Sequence, residues 1–284
     1  MKLNQTLPIK RITTAVVAIP LIAATIQWGG PALFFFIIAA AAGIALFELL
    51  DMVSVQAAFS RLLGLAAGLI IVSLIQHYRA YLSFESMLYQ GNLFGLLMTF
   101  PALLIFAALL VMPALYPRKI FLSALPLVGG IGVLYISLFL SYLILLYNGQ
   151  DGKAWVFFVL IVLWCNDSGA YVCGRTLGRH KLSPLVSPNK TIEGAIGGMV
   201  VCLFAAVCAK MFFLVHLSFS QAAVLALVIS VSGQAGDLCE STLKRHFGFK
   251  DSGRVLPGHG GMLDRIDSLL FAAPFAYYYK MLIA

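Results

Sequence analysis

Residues 154–173 read Ala154-Trp155-Val156-Phe157-Phe158-Val159-Leu160-Ile161-Val162-Leu163-Trp164-Cys165-Asn166-Asp167-Ser168-Gly169-Ala170-Tyr171-Val172-Cys173. The stretch has about the length an α-helix needs to cross a bilayer, and its first part is unbroken apolar sequence. Asn166 and Asp167 interrupt it near one end. A carboxylate inside an apolar helix costs several kcal/mol unless it is paired, hydrated or bound to a cation. A hydrogen-bonding node between helices is one reading of the pair; its position near the end of the span favours a functional one. Either way, the segment reads as a membrane helix.

The rest of the chain agrees. Of its 284 residues 61% are hydrophobic and 11% charged, whereas a soluble domain carries about 25% charged residues. So much apolar surface needs lipid as solvent. Spans are predicted at 11–28, 32–50, 62–77, 94–116, 121–147, 154–173, 194–215, 221–239 and 266–283, which makes the fold all-α, a polytopic integral membrane protein of about nine transmembrane helices. Residues 1–150 form an N-terminal group of helices, and residues 151–284 a C-terminal group that carries the polar loops. The first run ends at Trp28-Gly29-Gly30-Pro31 without a small-residue cleavage site, so it reads as a retained helix. Pro20, Pro101 and Pro126 are expected as kinks, and Gly194, Gly197 and Gly198 permit close helix contact. Cys165, Cys173, Cys202, Cys208 and Cys239 form no CxxC pair and no zinc-type spacing, and read as small buried hydrophobes.

The net charge of +8 does not point to nucleic acid, because the basic residues lie in short loops between apolar runs. With the N-terminus in the cytoplasm and nine alternating spans, inside segments hold fifteen of the nineteen Lys and Arg residues. Outside segments hold only Arg79, Lys153 and Lys280, and Lys210 falls within a span. That bias sets the orientation. Beyond residue 160 lie Asp167, Glu193, Asp237, Glu240, Asp251, Asp264 and Asp267, together with the two longest polar loops, 174–193 and 240–265, both on the cytoplasmic side.

Asp237 and Glu240 are three residues apart at the end of one span, so they share a helix face. Asp264 and Asp267 repeat the spacing where the next span begins. Capping by the helix dipole would account for the second pair alone, but not for two acid pairs joined by one loop. Clustered carboxylates repel unless cations intervene, and hard oxygen ligands favour magnesium. The joining loop, Lys244-Arg245-His246-Phe247-Gly248-Phe249-Lys250-Asp251-Ser252-Gly253-Arg254-Val255-Leu256-Pro257-Gly258-His259-Gly260-Gly261, combines cations with glycines that let backbone N–H groups approach an anion. It contains no P-loop pattern. Topology determination and attraction to anionic lipid headgroups are the plain alternatives for its basic residues. Ser187-Pro188-Asn189-Lys190-Thr191-Ile192-Glu193-Gly194 leads into another span; Thr191 or Ser187 suits a helix cap, while Lys190 beside a helix N-terminus suits an anion. His259, between glycines, is a candidate phosphate contact. A carboxylate–metal site beside a phosphate site is the pattern of phosphoryl or nucleotidyl transfer.

The segment Ser241–Asp267, with Ser-Thr-Leu-Lys-Arg, then Lys-Asp-Ser-Gly, then Leu-Pro-Gly-His-Gly-Gly-Met-Leu-Asp-Arg-Ile-Asp, resembles the signature of the phosphatidate cytidylyltransferase (CDP-diacylglycerol synthase) family. The resemblance extends to Gly236-Asp237, Asn166-Asp167-Ser168, Ser187-Pro188, Lys190-Thr191 and Glu193-Gly194. It implies the reaction of CTP with phosphatidate to give CDP-diacylglycerol and pyrophosphate, assisted by Mg2+, at a bacterial-type inner membrane. On that footing Asp237, Asp264 and Asp267 hold metal, and Asp264, Asp237 and Lys244 form the catalytic set. Lys190, Arg245, Lys250, His259, Arg265, Asn166, Asp167 and Ser187 are expected to bind substrate. The oligomeric state stays open, a homodimer among the options. A secondary transporter is the main rival; its charges would gather near the midplane, not at one face. A polyprenol or phytol kinase is closer, and the complete His-Gly-Gly … Asp-Arg … Asp segment argues against it.

Overall fold

The computed structural model describes residues 6–53, 58–78, 125–253, 255 and 260–283. Among these, eight helices follow in order: α1 (Thr6–Trp28), α2 (Gly30–Met52), α3 (Ala58–Tyr78), α4 (Leu125–Asn148), α5 (Gly152–Thr176), α6 (Ile192–Phe212), α7 (Phe219–Phe247) and α8 (Leu263–Ile283). They correspond to eight of the nine predicted spans; the span at 94–116, with Pro101, lies outside the described residues. α2, α4, α5, α6 and α7 are long and apolar enough to cross a membrane, and α1 and α3 carry shorter apolar stretches. The fold is an all-α polytopic bundle. The one departure is a two-stranded antiparallel hairpin, β1 (Lys181–Ser183) and β2 (Ser187–Thr191), within what reads in sequence as a plain polar loop.

The helix borders have local causes. Thr191 caps α6 by accepting from Gly194 N at 3.1 Å. Ser218 and Gln221 close a reciprocal capping box on α7. α7 ends at Gly248, whose φ of 83° suits a residue without a side chain. Pro126 is the second described residue of α4, and what precedes Leu125 lies outside the described residues. At 1.5 Å per residue the 29 residues of α7 reach roughly 43 Å, against a hydrocarbon core of about 30 Å. α7 is therefore longer than the apolar layer, and its last turns, from Glu240 to Phe247, carry the polar residues.

α4 is the central helix and packs against α2, α3, α5 and α8. Ile136, Phe139, Leu140, Leu143 and Ile144 of α4 are fully enclosed, as are Ala42, Ala45, Leu46 and Leu49 of α2, at the i, i+3, i+4, i+7 spacing of one helix face. Tyr135 and Phe139 of α4 meet Phe271 of α8 edge to face, with ring centroids 5.6 and 5.7 Å apart, and each other at 5.2 Å. α5 and α6 make the tightest seam. A Cβ on Gly169 would come within 2.7 Å of Val201, and one on Gly197 within 2.4 Å of the Cys173 side chain. The small residues at 194–198 thus do what their sequence pattern predicts. The alternation of helices brings the ends of α5 and α7, the starts of α6 and α8 and the hairpin to one end of the bundle.

Candidate active site

At that end a cavity of about 510 Å³ opens between α5, the hairpin, α7 and α8. Asn166 and Asp167 come from α5, Lys190 from β2, Asp237 and Lys244 from α7, and Asp264, Arg265 and Asp267 from the first turns of α8. Eight of the residues singled out in sequence thus line one space, although they are spread over about a hundred positions of chain. Leu160, Leu163, Trp164 and Leu269 form its apolar wall. Half charged and half greasy, the cavity suits a ligand with an ionic head and an apolar body.

The charges are arranged in two groups. Lys190 Nζ lies 2.6 Å from Asp237 Oδ2, so the hairpin is tied to α7 across the cavity mouth. Deeper in, Lys244 stands between two carboxylates, 2.8 Å from Glu240 Oε2 and hydrogen-bonded to Asp264 Oδ1. Lys244, Glu240 and Asp267 are all buried. Asp264 Oδ2 accepts from the backbone N–H groups of Ser252 (3.0 Å) and Gly261 (2.9 Å). Asp264 therefore fastens the loop to the helix while one of its oxygens faces the ammonium. Among the described residues the Arg265 guanidinium makes no ion pair, which leaves it open toward the cavity.

Asn166 is a node between helices. It is 1% exposed, and its Oδ1 accepts from Ser230 Oγ (2.6 Å) and Gln234 Nε2 (3.1 Å) of α7. Its Nδ2 donates to Asp167 Oδ1 at 3.3 Å, which directs the neighbouring carboxylate into the cavity. Ser230 and Gln234 were not legible as partners, because a Ser and a Gln in an apolar run carry no signal of their own.

Three other predicted residues stand apart from the cavity lining. Arg245 donates to the carbonyls of Val186 (3.2 Å) and Phe249 (2.8 Å), holding the hairpin to the end of α7. Lys250 is exposed in the loop, and Ser187 is paired with Ser183 in the hairpin. His259 lies outside the described residues. Glu193, in the first turn of α6, binds His180 Nδ1 at 2.6 Å and accepts from the N–H groups of Arg179 and His180, which anchors the base of the hairpin.

As placed, no three Asp, Glu, His or Cys side chains among the described residues converge closely enough to hold a metal ion; the lysine ammoniums stand between the carboxylates. The donor chemistry nevertheless fits a hard divalent cation. Asp237, Glu240, Asp264 and Asp267 offer only oxygen, and Glu240 Oε1 is buried without a hydrogen-bond partner.

Residue Glu48 went unread in the sequence. It lies in the α2 run Leu46-Phe47-Glu48-Leu49-Leu50, a carboxylate inside an apolar helix, and the argument applied to Asp167 would have found it. Its carboxylate reaches the start of α8 behind the cavity, accepting from Met262 N, Leu263 N and Ser252 Oγ at 2.9–3.0 Å.

The model of the cytidylyltransferase family matches residues 9–283. The chain is 45% identical over 149 residues to the phosphatidate cytidylyltransferase of Bacillus subtilis (strain 168), an alignment covering 52% of this chain and 55% of the relative. It is 48% identical over 125 residues to the phosphatidate cytidylyltransferase of Staphylococcus haemolyticus (strain JCSC1435), covering 44% of this chain and 48% of that one. The chain thus spans about half the length of the curated relatives it matches.

Proposed function

The chain belongs to the cytidylyltransferase family, and we propose that it transfers the cytidylyl group of CTP to phosphatidate, releasing pyrophosphate and leaving CDP-diacylglycerol in the membrane. The observation that carries this reading is the cavity itself: carboxylates, lysines and a guanidinium at one end of a membrane bundle, against an apolar wall. A soluble nucleotide and a lipid phosphate meet at such a boundary. The names of the curated relatives point the same way.

In this reaction an oxygen of the phosphatidate phosphate attacks the α-phosphorus of CTP. The bond from the α-phosphorus to the bridging oxygen breaks, and pyrophosphate leaves with the electron pair. The attacking monoester has a second pKa of about 6, so it is ionised near neutral pH and needs no strong general base. What the site must supply is neutralisation of charge and alignment. Arg265, unpaired among the described residues, binds phosphate oxygens. Lys190 and Lys244, each already fixed by a carboxylate, hold their positive charge in place before substrate arrives. Asp167, aimed by Asn166, contributes to the polar wall.

Asp237, Asp264 and Asp267 would hold Mg2+, with Glu240 Oε1 as a further oxygen donor. The ion, when bound, supplies additional neutralisation of the triphosphate. The polar end faces the cytoplasm in this reading, at the inner membrane of a bacterial cell. Its support is the fifteen basic residues on that side and the cytosolic source of CTP.

The test is direct. Purified protein in detergent is incubated with labelled CTP, phosphatidate and Mg2+, with and without EDTA. Labelled CDP-diacylglycerol that vanishes with EDTA is expected; well-folded protein that yields no labelled lipid across lipid and metal conditions overturns the reading.

A further inference from the structure

We propose that Glu48 of α2 is a positioning residue for the acidic site, the anchor that sets where the first turn of α8 presents Asp264, Arg265 and Asp267. The inference rests on the cytidylyltransferase reading for its kinetic consequence but not for its geometry. Glu48 is 3% exposed. Its Oε1 accepts from Met262 N at 2.9 Å, and its Oε2 accepts from Leu263 N at 2.9 Å and from Ser252 Oγ at 3.0 Å. Backbone donors at the start of a helix have no intrahelical acceptor, and here a carboxylate from a helix more than two hundred residues earlier serves them. Negative charge at that end also opposes the helix dipole favourably.

The contact is relayed to the site. The Ser252 hydroxyl donates to Glu48 and accepts from Asp264 N at 3.3 Å, while Ser252 N donates to Asp264 Oδ2 at 3.0 Å. Glu48, Ser252 and Asp264 thus form one chain of bonds from the N-terminal group of helices to the carboxylate that holds Lys244. The glycines beside it have the same explanation. The three atoms nearest a Cβ on Gly253 would all belong to Glu48, with Oε1 at 2.4 Å, Cδ at 2.7 Å and Cγ at 2.9 Å. A Cβ on Gly261 would lie 2.0 Å from Ser252 Oγ and 2.5 Å from Glu48 Oε2. Two glycines of the loop are therefore needed to admit the carboxylate, an arrangement whose value lies in the exact placement of α8.

The decisive experiment compares Glu48→Gln, Glu48→Ala, Ser252→Ala, Gly253→Ala and the double variant Glu48→Ala/Gly253→Ala as purified full chains. It records kcat and KM for CTP, thermal unfolding, and hydrogen exchange in the peptide covering Met262–Asp264. A site displaced by a fraction of an ångström loses kcat on the order of 10- to 100-fold. Glu48→Gln and Ser252→Ala are expected to do so with KM for CTP changed by less than about 3-fold, because the cations that bind the triphosphate stay. Exchange should accelerate at Met262–Asp264 and not along the rest of α8. Gly253→Ala should be damaging alone and cost much less beside Glu48→Ala, because the three atoms nearest its methyl are gone. Folded Glu48→Gln protein with unaltered kcat, or additive losses in the double variant, overturns the inference. If Glu48→Ala does not fold, Glu48→Gln and Ser252→Ala decide alone. A wild-type chain without activity would remove the proposed reaction, and exchange at Met262–Asp264 would still decide whether Glu48 anchors α8.

Discussion

Lys244 is the residue on which the charges of the site turn, because it is enclosed with Glu240 on one side and Asp264 on the other. Breaking a buried ion pair by removing one member leaves its partner charged and unmatched, which costs about 3–5 kcal/mol. Lys244→Ala is therefore expected to lower stability by that order, read as thermal unfolding in detergent, and to abolish CDP-diacylglycerol formation. A variant with unaltered thermal stability would show that the triad does not hold its charges as a unit. Asp264→Asn makes a sharper separation between fold and chemistry. An asparagine keeps one carbonyl oxygen for Ser252 N and Gly261 N, and Lys244 keeps Glu240. The variant should insert and purify normally while product formation from labelled CTP is lost. Substantial turnover would take Asp264 out of the reacting machinery.

Helices and their seams explain what could be read in advance and what could not. Hydropathy locates the eight described helices because most of each is an apolar run, but it loses α7 where the sequence turns polar. α7 is predicted at 221–239 and extends to Phe247, since the turn Glu240-Ser241-Thr242-Leu243-Lys244 is helical without being apolar. The acid pairs at 237/240 and 264/267 are visible as local spacing, and so is their shared end of the bundle. The hairpin is invisible: strands of three and five residues, with Pro184 in the turn and Pro188 in the second strand, show no alternation. The bond from Arg245 to Val186 O is illegible in sequence for the same reason, because that carbonyl belongs to the hairpin. Glu48 is legible as a carboxylate in an apolar helix, but its partners, more than two hundred residues away, are encoded by no local pattern. The α5–α6 seam is the legible case, and it carries its own prediction. Gly197→Ala would bring a methyl within 2.4 Å of Cys173, and such overpacking typically costs about 1–3 kcal/mol. The melting temperature should fall, and Cys173→Gly added to Gly197→Ala should recover part of the loss. An unchanged melting temperature for Gly197→Ala would mean the seam can open without cost.

The molecule as a whole is polarised end to end, and the polarity determines what it can meet. One end gathers the cavity, the hairpin, Arg175, Arg179, Lys181, Lys190, Lys244, Arg245, Lys250 and Arg265. The opposite end holds Lys153, bonded to Gln27 O at 2.7 Å, Lys280, bonded to Gln150 O, and His216 beside Asp151. Basic segments are retained on the cytoplasmic side during insertion, so the fold leaves one orientation that agrees with its own charges, and it is the one that the proposed reaction with CTP requires. Two exposed positions report on it: Leu185 at the hairpin tip, 94% exposed, and His216 in the turn between α6 and α7. In intact cells a membrane-impermeant maleimide should label His216→Cys and spare Leu185→Cys. In inside-out vesicles the pattern should invert, with the unsubstituted chain measuring reaction at its own helical cysteines. Labelling of Leu185→Cys from outside intact cells would place the cavity away from the nucleotide pool, and the proposed reaction would lose its source of CTP.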